Sequence, residues 1–569
     1  MTSLYAASQY SEDLDEFVAA GAVQSRDLRA VAALLHVASA ASDVDRLAWV
    51  AFALVLGTPR SGHTCVDFLN ISLWKPENIN ETLVRWPADH EEWIAAVRKC
   101  EELVCSPENR SDLPRRPFVL SGTRLYAARS FDEEVRVAAY LRQAIDAGRI
   151  EIITGGPGSG KTTYIADKII EHVSNRSGSD TIALAAPTGL AAKRMARALR
   201  AAVRTGINDG KISPEMEKIV DGLPKVTIHK LLKFNPVARV QWRFNKHDTM
   251  PYDYVIIDEV SMMPLSMMAR VLEAMKKDAR LMLVGDPYQL ASVEAGTVLA
   301  DIVEASSRGT GFVTVKTGSY RFLPGSPVAD ISTHIKLGIF EAAREALKLH
   351  HTDPEVKGPF SWVDPVTNDK ALQVVARIVA EHARKLCVDA AKATSDQDYR
   401  ELIKFRDSLQ VVCAHRRGNL GVSGWNSAVE RQLGALAHGQ WYLGRPVMVT
   451  KNDSASGLAN GDIGVVCKDS KGSRVVVFGD AEEVRLIPIS SVPHVETVHA
   501  LTIHKSQGSE FAHTIVVLPK GKSRILTREL LYTGITRAKP RLTLIATETA
   551  LEFAITTKVQ RATGLADLL

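Results

Sequence analysis

Signals of secretion or membrane insertion are missing from this sequence of 569 residues. Its first segment carries the acids Glu12, Asp13, Asp15 and Glu16, where a secretory signal would be basic and then apolar. The longest apolar run, Leu47 to Leu56, is about half the length that spans a bilayer, so it predicts a buried helix. We therefore expect a cytoplasmic protein that does not associate with membranes.

Cysteines in metal-binding spacing and charge of one sign are also scarce. The six cysteines are scattered, and Cys100 and Cys105 form the one close pair, which favours reduced thiols over a zinc or iron–sulfur site. Lys+Arg 70 against Asp+Glu 65 gives a formal net charge of +5. This charge neither predicts nor excludes a nucleic-acid partner, because a modest total can conceal a basic channel. The length predicts about three or four domains, since a single core does not grow that large.

Short apolar runs that alternate with helical patterns predict an α/β fold with two parallel sheets. The first set of runs is Ile150–Thr154, Thr181–Ala186, Val255–Ile257 and Leu281–Val284. The second set is Val411–Ala414, Thr514–Leu518 and Leu542–Ala546. Two sets of parallel strands predict two lobes, over residues 126–320 and over residues 321–435 with 497–569.

Two further regions differ from this pattern. Residues 1–125 are rich in Ala and Leu and predict a mainly helical domain, with a hairpin at Phe118–Leu120 and Leu125–Ala128. Residues 436–496 contain short β-like runs separated by Gly and Asp turns, which predict a small barrel inserted in the second lobe. These runs are Pro446–Thr450, Gly464–Cys467, Arg474–Phe478 and Val484–Ile487.

A phosphate-binding loop is the clearest chemical motif. Residues 155–162 match G-x-x-x-x-G-K-[ST], and a predicted strand precedes them while a predicted helix follows. Backbone N–H groups of such a loop surround the β-phosphate, and the helix N-terminus adds positive potential. The motif predicts binding of ATP or GTP. The predicted nucleotide-binding residues are Gly155, Gly156, Pro157, Gly158, Ser159, Gly160, Lys161, Thr162 and Thr163.

Acidic and neutral polar residues follow two later strands. Asp258 and Glu259 end an apolar strand, where Asp258 would hold Mg²⁺ together with Thr162 and Glu259 would polarise the attacking water. Gln289 follows the next strand and is predicted to sense the γ-phosphate. An acid pair or a loop glutamine is common by itself, so the assignment depends on the phosphate loop.

Two arginines in the second half are predicted to complete the catalytic set with Lys161. Arg321 lies in Tyr-Arg-Phe, and Arg537 ends Tyr-Thr-Gly-Ile-Thr-Arg. An arginine supplied across a cleft stabilises charge on the transferring phosphoryl group and makes hydrolysis depend on closure of the cleft. Either arginine alone is more often a solvated surface residue.

Taken together, these strings resemble the ordered motif set of superfamily-1 DNA helicases of the RecD type, over about residues 118–569. The matching stretches are 155–162, 186–192, 227–232, 258–262, 285–293 with Gly296, 320–322, 444–448, 460–464, 502–511 and 532–539. The resemblance implies two RecA-like lobes, an SH3-like barrel insertion, and 5′-to-3′ translocation on single-stranded DNA driven by ATP. It also implies RecB-like and RecC-like partner subunits in a heterotrimer that acts at DNA ends during double-strand break repair and recombination.

The same resemblance implies roles for individual residues. Glu510 would lie near the nucleotide ribose, and four residues would line the DNA path: Thr188, His229, Thr502 and His504. Related helicases carry a glutamine upstream of the phosphate loop that reads adenine, and Gln143 is the nearby candidate, at a different spacing. The first 117 residues match loosely, and in the family this region docks on the large scaffold subunit.

A segment of alternating basic and aromatic residues lies between two of these motifs, at about 233–250. It resembles the hairpin that separates strands in related helicases, and Trp242 and Phe244 are its predicted DNA contacts. The alternative is an amphipathic hairpin that packs on the lobe. Both interpretations stay open at this point.

Three functions remain to be compared. The leading one is a motor subunit with DNA-stimulated ATPase activity, in a chain that has no convincing nuclease site of its own. The second is an architectural subunit with a vestigial nucleotide site, for which we would expect at least one catalytic residue to be lost. The third is a free-standing repair helicase, in which we would expect a longer N-terminal extension.

Overall fold

The computed structural model describes residues 14–38, 44–76, 85–112, 116–175, 181–235, 237–238, 242–309, 311–316, 326–356, 358–453, 455–480, 483–492 and 494–569. Across these ranges, no helix combines the length and the apolar character needed to cross a membrane. Short 3₁₀ segments also occur, at Thr58–Ser61, Phe68–Trp74, Pro107–Asp112, Val260–Met262, Gly434–Ala437, Ile489–Ser491 and His504–Ser506.

The N-terminal region combines helices with a small sheet. The helices are α1 (Asp15–Ala19), α2 (Ser25–Val37), α3 (Arg46–Gly57) and α4 (His90–Arg98). The strands are β1 (Cys65–Asp67), β2 (Val104–Cys105), β3 (Phe118–Ser121) and β4 (Arg124–Ala127), in the order β1-β4-β3-β2. The predicted buried helix is α3, whose residues from Ala48 to Val55 are all buried. The predicted hairpin is the antiparallel pair β3–β4, whereas β1 and β2 are too short to show alternation.

The first α/β lobe follows. Its strands are β5 (Ile150–Thr154), β6 (Ile182–Ala186), β7 (Lys225–Thr227), β8 (Tyr254–Ile257), β9 (Arg280–Gly285) and β10 (Val313–Val315). They form one parallel sheet in the order β10-β5-β9-β8-β6-β7. Its helices are α5 (Ala128–Asp146), α6 (Lys161–Asn175), α7 (Gly189–Asn208), α8 (Glu215–Gly222), α9 (Ile228–Leu231), α10 (Leu265–Glu273) and α11 (Val298–Arg308). Separate apolar clusters cover the two faces of this sheet, as expected for a doubly covered parallel sheet.

The second lobe begins after residue 325 and is interrupted by an insertion. Its first part contains α12 (Pro327–Leu337), α13 (Phe340–His350), β11 (Phe360–Val363), α14 (Asp369–Lys392), α15 (Asp396–Arg406), β12 (Leu409–Cys413) and α16 (Val422–Leu433). The insertion contributes β13 (Pro446–Val449), β14 (Ile463–Lys468), β15 (Arg474–Gly479), β16 (Val484–Pro488) and β17 (Val495–Thr497). These five strands form a separate antiparallel sheet in the order β16-β15-β14-β13-β17.

The chain then returns to the second lobe through β18 (Ala500–Thr502), β19 (Phe511–Val517), α17 (Arg528–Ile535), β20 (Ala538–Ile545) and α18 (Glu548–Thr556). All its strand pairs are parallel, in the order β11-β20-β19-β12-β18. The structure therefore confirms an α/β fold with parallel sheets. The strands β7, β10, β11, β17 and β18 were not predicted, because each has three or four residues at an edge of a sheet or beside one.

The last residues cross back from the second lobe to the first. The carbonyl of Thr557 and the N–H of Val559 bond to Arg528 and Glu529 of the second lobe, both at 2.8–2.9 Å. Two residues later, the Arg561 guanidinium donates to main-chain carbonyls of the loop at 292–296 in the first lobe. The final helix, α19 (Leu565–Leu568), places Leu565 in the core of the first lobe. Between the two attachments there is one intervening residue, Gln560.

Candidate nucleotide cleft and nucleic-acid edge

The phosphate loop joins β5 to α6 and is built for an anion. Gly158 and Gly160 have φ values of +78° and +81°, a left-handed conformation that a side chain would strain. The Lys161 ammonium donates to the carbonyls of Gly155 and Gly156, the second at 2.8 Å. The Ser159 hydroxyl is buried and has no hydrogen-bond partner among the described residues. This glycine turn, with the unpaired Ser159 hydroxyl and the Lys161 ammonium beside its carbonyls, fits a phosphate group.

The acids that follow β8 face the same cavity. Thr162, Asp258 and Glu259 all line a cavity of about 380 Å³ beside the loop. Removal from water and the neighbouring Glu259 charge raise the pKa of the Asp258 carboxyl. Glu259 has φ 56° and ψ 40°, a strained backbone conformation for a residue other than glycine. A hydroxyl and a carboxylate are the hard oxygen ligands that Mg²⁺ prefers, so this donor set fits that ion.

A buried network joins the two lobes across the cavity. The Arg537 guanidinium, 2% exposed, donates to the Gln289 side-chain carbonyl at 3.1 Å. The Gln289 amide in turn donates to Asp286 at 3.2 Å, and the Tyr532 hydroxyl donates to the same carboxylate at 3.2 Å. Burial raises the pKa of the Asp286 carboxyl and of the Tyr532 hydroxyl. The predicted sensor of the first lobe is thus bonded directly to the predicted arginine of the second.

Main-chain contacts reinforce this junction. The Leu290 N–H donates to the Thr533 hydroxyl at 2.9 Å, and the Gln507 amide donates to the Leu290 carbonyl at 3.2 Å. Both contacts join the loop after β9 to segments of the second lobe. Movement of that loop therefore shifts the cleft wall on the opposite side.

Glu510 also lies at this cavity, held by cations of both lobes. It forms an ion pair with Arg194 of α7 and a second one with Lys539, at 3.4 Å. The sequence analysis gave no role to Arg194, Asp286, Tyr532 or Thr533. The last three stand inside the matched motifs, but their partners lie over 200 residues away in sequence, at separations of 243 and 246. Local patterns carry no signal for such pairs.

One predicted nucleotide contact lies outside the described residues, and another lies away from the cavity. Arg321 belongs to residues 317–325, which lie outside the described residues, so its role stays a prediction. Gln143 is exposed on α5 and is not among the residues that line the cavity. The described structure therefore brings together the phosphate loop, Asp258, Glu259, Gln289, Glu510 and Arg537.

The predicted DNA-contacting residues lie after strand ends of the two sheets. Thr188 follows β6 and caps α7, accepting from the Ala191 N–H at 3.2 Å. Thr502 ends β18, is 8% exposed, and accepts from the Lys505 N–H at 3.3 Å. Because both hydroxyls already serve as local caps, they shape the backbone at these edges.

The two predicted histidines differ in their surroundings. His229 packs against Trp242 and Phe234, with ring centroids 5.5 and 5.8 Å away. Burial lowers the pKa of both His229 and His504, so each imidazole is neutral at neutral pH. Each uncharged imidazole ring could therefore form a hydrogen bond with a DNA strand but not an ion pair with its phosphates.

The basic and aromatic segment divides into two parts. Phe234 and Trp242 form an isolated antiparallel bridge with their rings 4.6 Å apart, and Trp242 is half-buried. Phe244 is 6% exposed and belongs to the core of the first lobe. Trp242 also packs against that core, so both rings fit the packing alternative, and their contacts with DNA stay predictions.

Comparison with known proteins identifies the family. Models of three families match: an AAA domain over residues 139–295, a UvrD-like helicase C-terminal domain over 497–545, and the N-terminal domain of RecBCD enzyme subunit RecD over 20–126. The RecBCD enzyme subunit RecD of Mycolicibacterium smegmatis is 36% identical, covering 92% of this chain and 94% of its own. The chain belongs to the RecD family. The AAA-domain and UvrD-like helicase models that match this chain agree with the assigned cleft and with an ATP-dependent DNA helicase.

Sequence identity is lower for a second helicase and for a solved structure. The ATP-dependent RecD2 DNA helicase of Deinococcus radiodurans is 30% identical over 69% of this chain, but the match covers 46% of that protein. Among solved structures, a Pif1 helicase from Bacteroides in complex with ADP-AlF3 and single-stranded DNA matches at 16% identity. That match has a TM-score of 0.36 and covers 73% of this chain and 93% of the other.

Proposed function

We propose that this RecD-family chain is an ATP-driven motor that moves 5′-to-3′ along single-stranded DNA within a RecBCD-type helicase–nuclease. The observation that carries the proposal is the bond between Arg537 and Gln289 across the cavity that Lys161 lines. A sensor and an arginine on opposite walls make turnover depend on closure of the two lobes.

The residues divide the chemistry of ATP hydrolysis among them. Lys161 and the N–H groups of the phosphate loop bind and orient the β- and γ-phosphates. Glu259 orients the attacking water, while Arg537 stabilises the negative charge that develops on the terminal phosphate. Thr162 and Asp258 would hold Mg²⁺, which supplies charge neutralisation at the phosphates when it is bound.

Alternation between the open and closed cleft drives movement along the strand. Loss of the terminal phosphate removes a partner of Gln289 and Arg537, and the network between Asp286 and Tyr532 transmits this change to the second lobe. Residues after β6 and β18, one on each lobe, would then exchange their grip on the DNA backbone. Trp242, beside His229, would stack on a base.

The remaining domains have supporting roles in this proposal. The five antiparallel strands at 446–497 fit an SH3-like barrel, and Lys193 and Arg197 of α7 pair with its Asp462 and Asp480 at 2.7 and 3.1 Å. The helical and β N-terminal region would dock on the RecC-like subunit. We place the assembly in the cytoplasm, where the DNA ends of a double-strand break are repaired.

The first test compares Lys161→Ala with Lys168→Ala in the full chain. Lys168 lies on the same helix and pairs with Glu171 at 2.9 Å, so its loss changes charge equally without touching the loop. We expect wild type and Lys168→Ala to hydrolyse ATP several-fold faster when single-stranded DNA is added. Lys161→Ala should lose at least about 100-fold of that activity. Retention of DNA-stimulated turnover in Lys161→Ala would refute the assigned cleft.

The second test measures direction and partners. Displacement of a block from the 3′ end of a strand, but not from its 5′ end, is the expected result. Purification with RecB-like and RecC-like chains at equal stoichiometry supports the complex. A fully active monomer supports the free-standing alternative, and a complex without ATPase activity supports the architectural one. The match to 94% of a RecD subunit favours the complex, whereas the RecD2 helicase extends well beyond the matched region.

A further inference from the structure

One guanidinium at the nucleotide cavity has no place in the mechanism above. Arg194 lies on α7 of the first lobe, and its side chain is 33% exposed and lines the cavity with Lys161 and Asp258. Its tip crosses the cleft to the second lobe. There it donates to the Gly508 carbonyl at 2.5 Å and pairs with the Glu510 carboxylate.

The pairing holds Glu510 at a fixed place. The Glu510 side chain is 12% exposed, and Lys539 approaches its other oxygen at 3.4 Å. A glutamate side chain has several rotatable bonds, so an unpaired one would occupy several rotamers. With Arg194 on one oxygen and Lys539 on the other, the carboxylate is ordered before any nucleotide arrives.

The contact with Gly508 fixes the backbone as well. Gly508 has φ +76° and begins the turn that leads into Glu510 and β19. Its backbone also approaches Leu190, since a Cβ added to it would lie 4.0 Å from that side chain. Arg194 therefore holds this turn of the second lobe against the first turns of α7.

We propose that Arg194 is a positioning residue that presents the Glu510 carboxylate to the hydroxyl groups of the nucleotide ribose. This inference rests on the proposed function and on the ribose contact that the family resemblance implies for Glu510. Arg194 acts through Glu510 and does not contact the phosphates. Ribose recognition thereby requires both lobes, since one supplies the carboxylate and the other holds it.

The test measures ribose discrimination in DNA-stimulated ATP hydrolysis by the full chain. The ratio of kcat/KM for ATP to that for 3′-deoxy-ATP and 2′-deoxy-ATP reports the hydroxyl contacts. For wild type we expect a preference of about 10-fold for ATP over at least one analogue, the usual value of a hydrogen bond to a charged group. Glu510→Gln should reduce that preference to about 2-fold.

Arg194→Ala should reproduce the Glu510→Gln phenotype. We expect the KM for ATP to rise about 10-fold, kcat to stay within about 3-fold, and the preference for ATP to fall to about 2-fold. Arg194→Lys keeps one positive charge and should recover part of the preference. The double variant should lose little beyond either single variant, because both remove one interaction.

The matched control is Arg197→Ala. Arg197 lies on the same helix and also pairs across the cleft, with Asp480 at 3.1 Å, but it does not line the cavity. It should keep the wild-type preference for ATP. Thermal unfolding of each variant shows whether the fold is kept, and Arg194→Lys serves if Arg194→Ala unfolds.

Several outcomes would overturn the inference. A large fall in kcat with unchanged discrimination in Arg194→Ala would place Arg194 on the phosphates. Unchanged discrimination with unchanged kcat, or the absence of any ribose preference in wild type, would remove the role assigned here. None of these results affects the proposed motor, which fails separately if wild type shows no DNA-stimulated hydrolysis.

Discussion

The nucleotide cleft and the edge that is predicted to contact DNA differ in how their residues are held. In the cleft, Arg537, Gln289, Asp286 and Tyr532 bond to one another and are all at most 7% exposed. At the edge, Thr188 and Thr502 bond to their own backbone, and His229 rests on aromatic rings. The side chains of the cleft are held in place by hydrogen bonds to one another. The residues of the edge do not contact one another in this way, and a DNA strand would be what connects them. A motor needs both arrangements, because ATP hydrolysis requires a fixed geometry whereas sliding along DNA requires weak contacts with the strand.

The largest effect on activity should come from a substitution of Arg537, at the centre of the cleft. Arg537→Ala removes the positive charge that would stabilise the terminal phosphate, and it also removes the hydrogen bond to Gln289. We therefore expect kcat to fall by about 1,000-fold or more. Arg541→Ala is the control, because this arginine lies in β20, which begins directly after Arg537, and donates instead to the Pro354 carbonyl at 3.2 Å. A loss below about 10-fold in Arg537→Ala, measured as DNA-stimulated phosphate release, would contradict the organised cleft.

A smaller effect should separate the two rings of the edge. Phe244→Ala empties a core site and should lower the free energy of unfolding by about 3–5 kcal/mol, measured by chemical denaturation. Trp242→Ala should instead weaken binding of single-stranded DNA by about 10-fold, since stacking on one base contributes about 1–3 kcal/mol. Equal losses of stability from both changes would show that Trp242 only packs on the lobe.

The smallest effect concerns pH at the edge. Burial lowers the pKa of His229 and His504 below the usual value of about 6.5, so the neutral form of each imidazole predominates from that pH upwards. Glu294 faces His229, while Arg416 and Arg561 face His504. We expect the affinity for single-stranded DNA to stay within about 2-fold from pH 6.5 to pH 8. A fall of 10-fold or more over that range, measured at constant salt, would show that a charged imidazole holds the phosphates.

The sequence predicted the cleft better than the edge for a physical reason. The phosphate loop, the acids after β8 and the sensor after β9 each follow a buried parallel strand, so their spacing already places them at the carboxyl edge of one sheet. No comparable sequence pattern shows whether an aromatic ring is exposed or buried. Phe244 and Trp242 are two residues apart, and only their packing shows that Phe244 is buried in the core whereas Trp242 packs against that core and stays half-exposed.

Contacts between the lobes were also beyond prediction. Arg194 resembles any other basic residue on an amphipathic helix, and its partners Gly508 and Glu510 are 314 and 316 residues away. In the N-terminal sheet, β1 and β2 were not predicted because they have only three and two residues. Long strands, buried helices and the phosphate loop follow from local pattern, whereas partners that meet only after folding do not.

The crossing of the last residues has a mechanical consequence. Residues 557 and 559 bond to the second lobe and Arg561 bonds to the first, so Gln560 alone separates the two attachments. With so short a link, the lobes cannot move far apart at this point while both attachments hold. We therefore expect opening of the cleft to displace most the regions that are remote from residues 559–561. A DNA-contacting residue would then move farther the more distant it lies from this link.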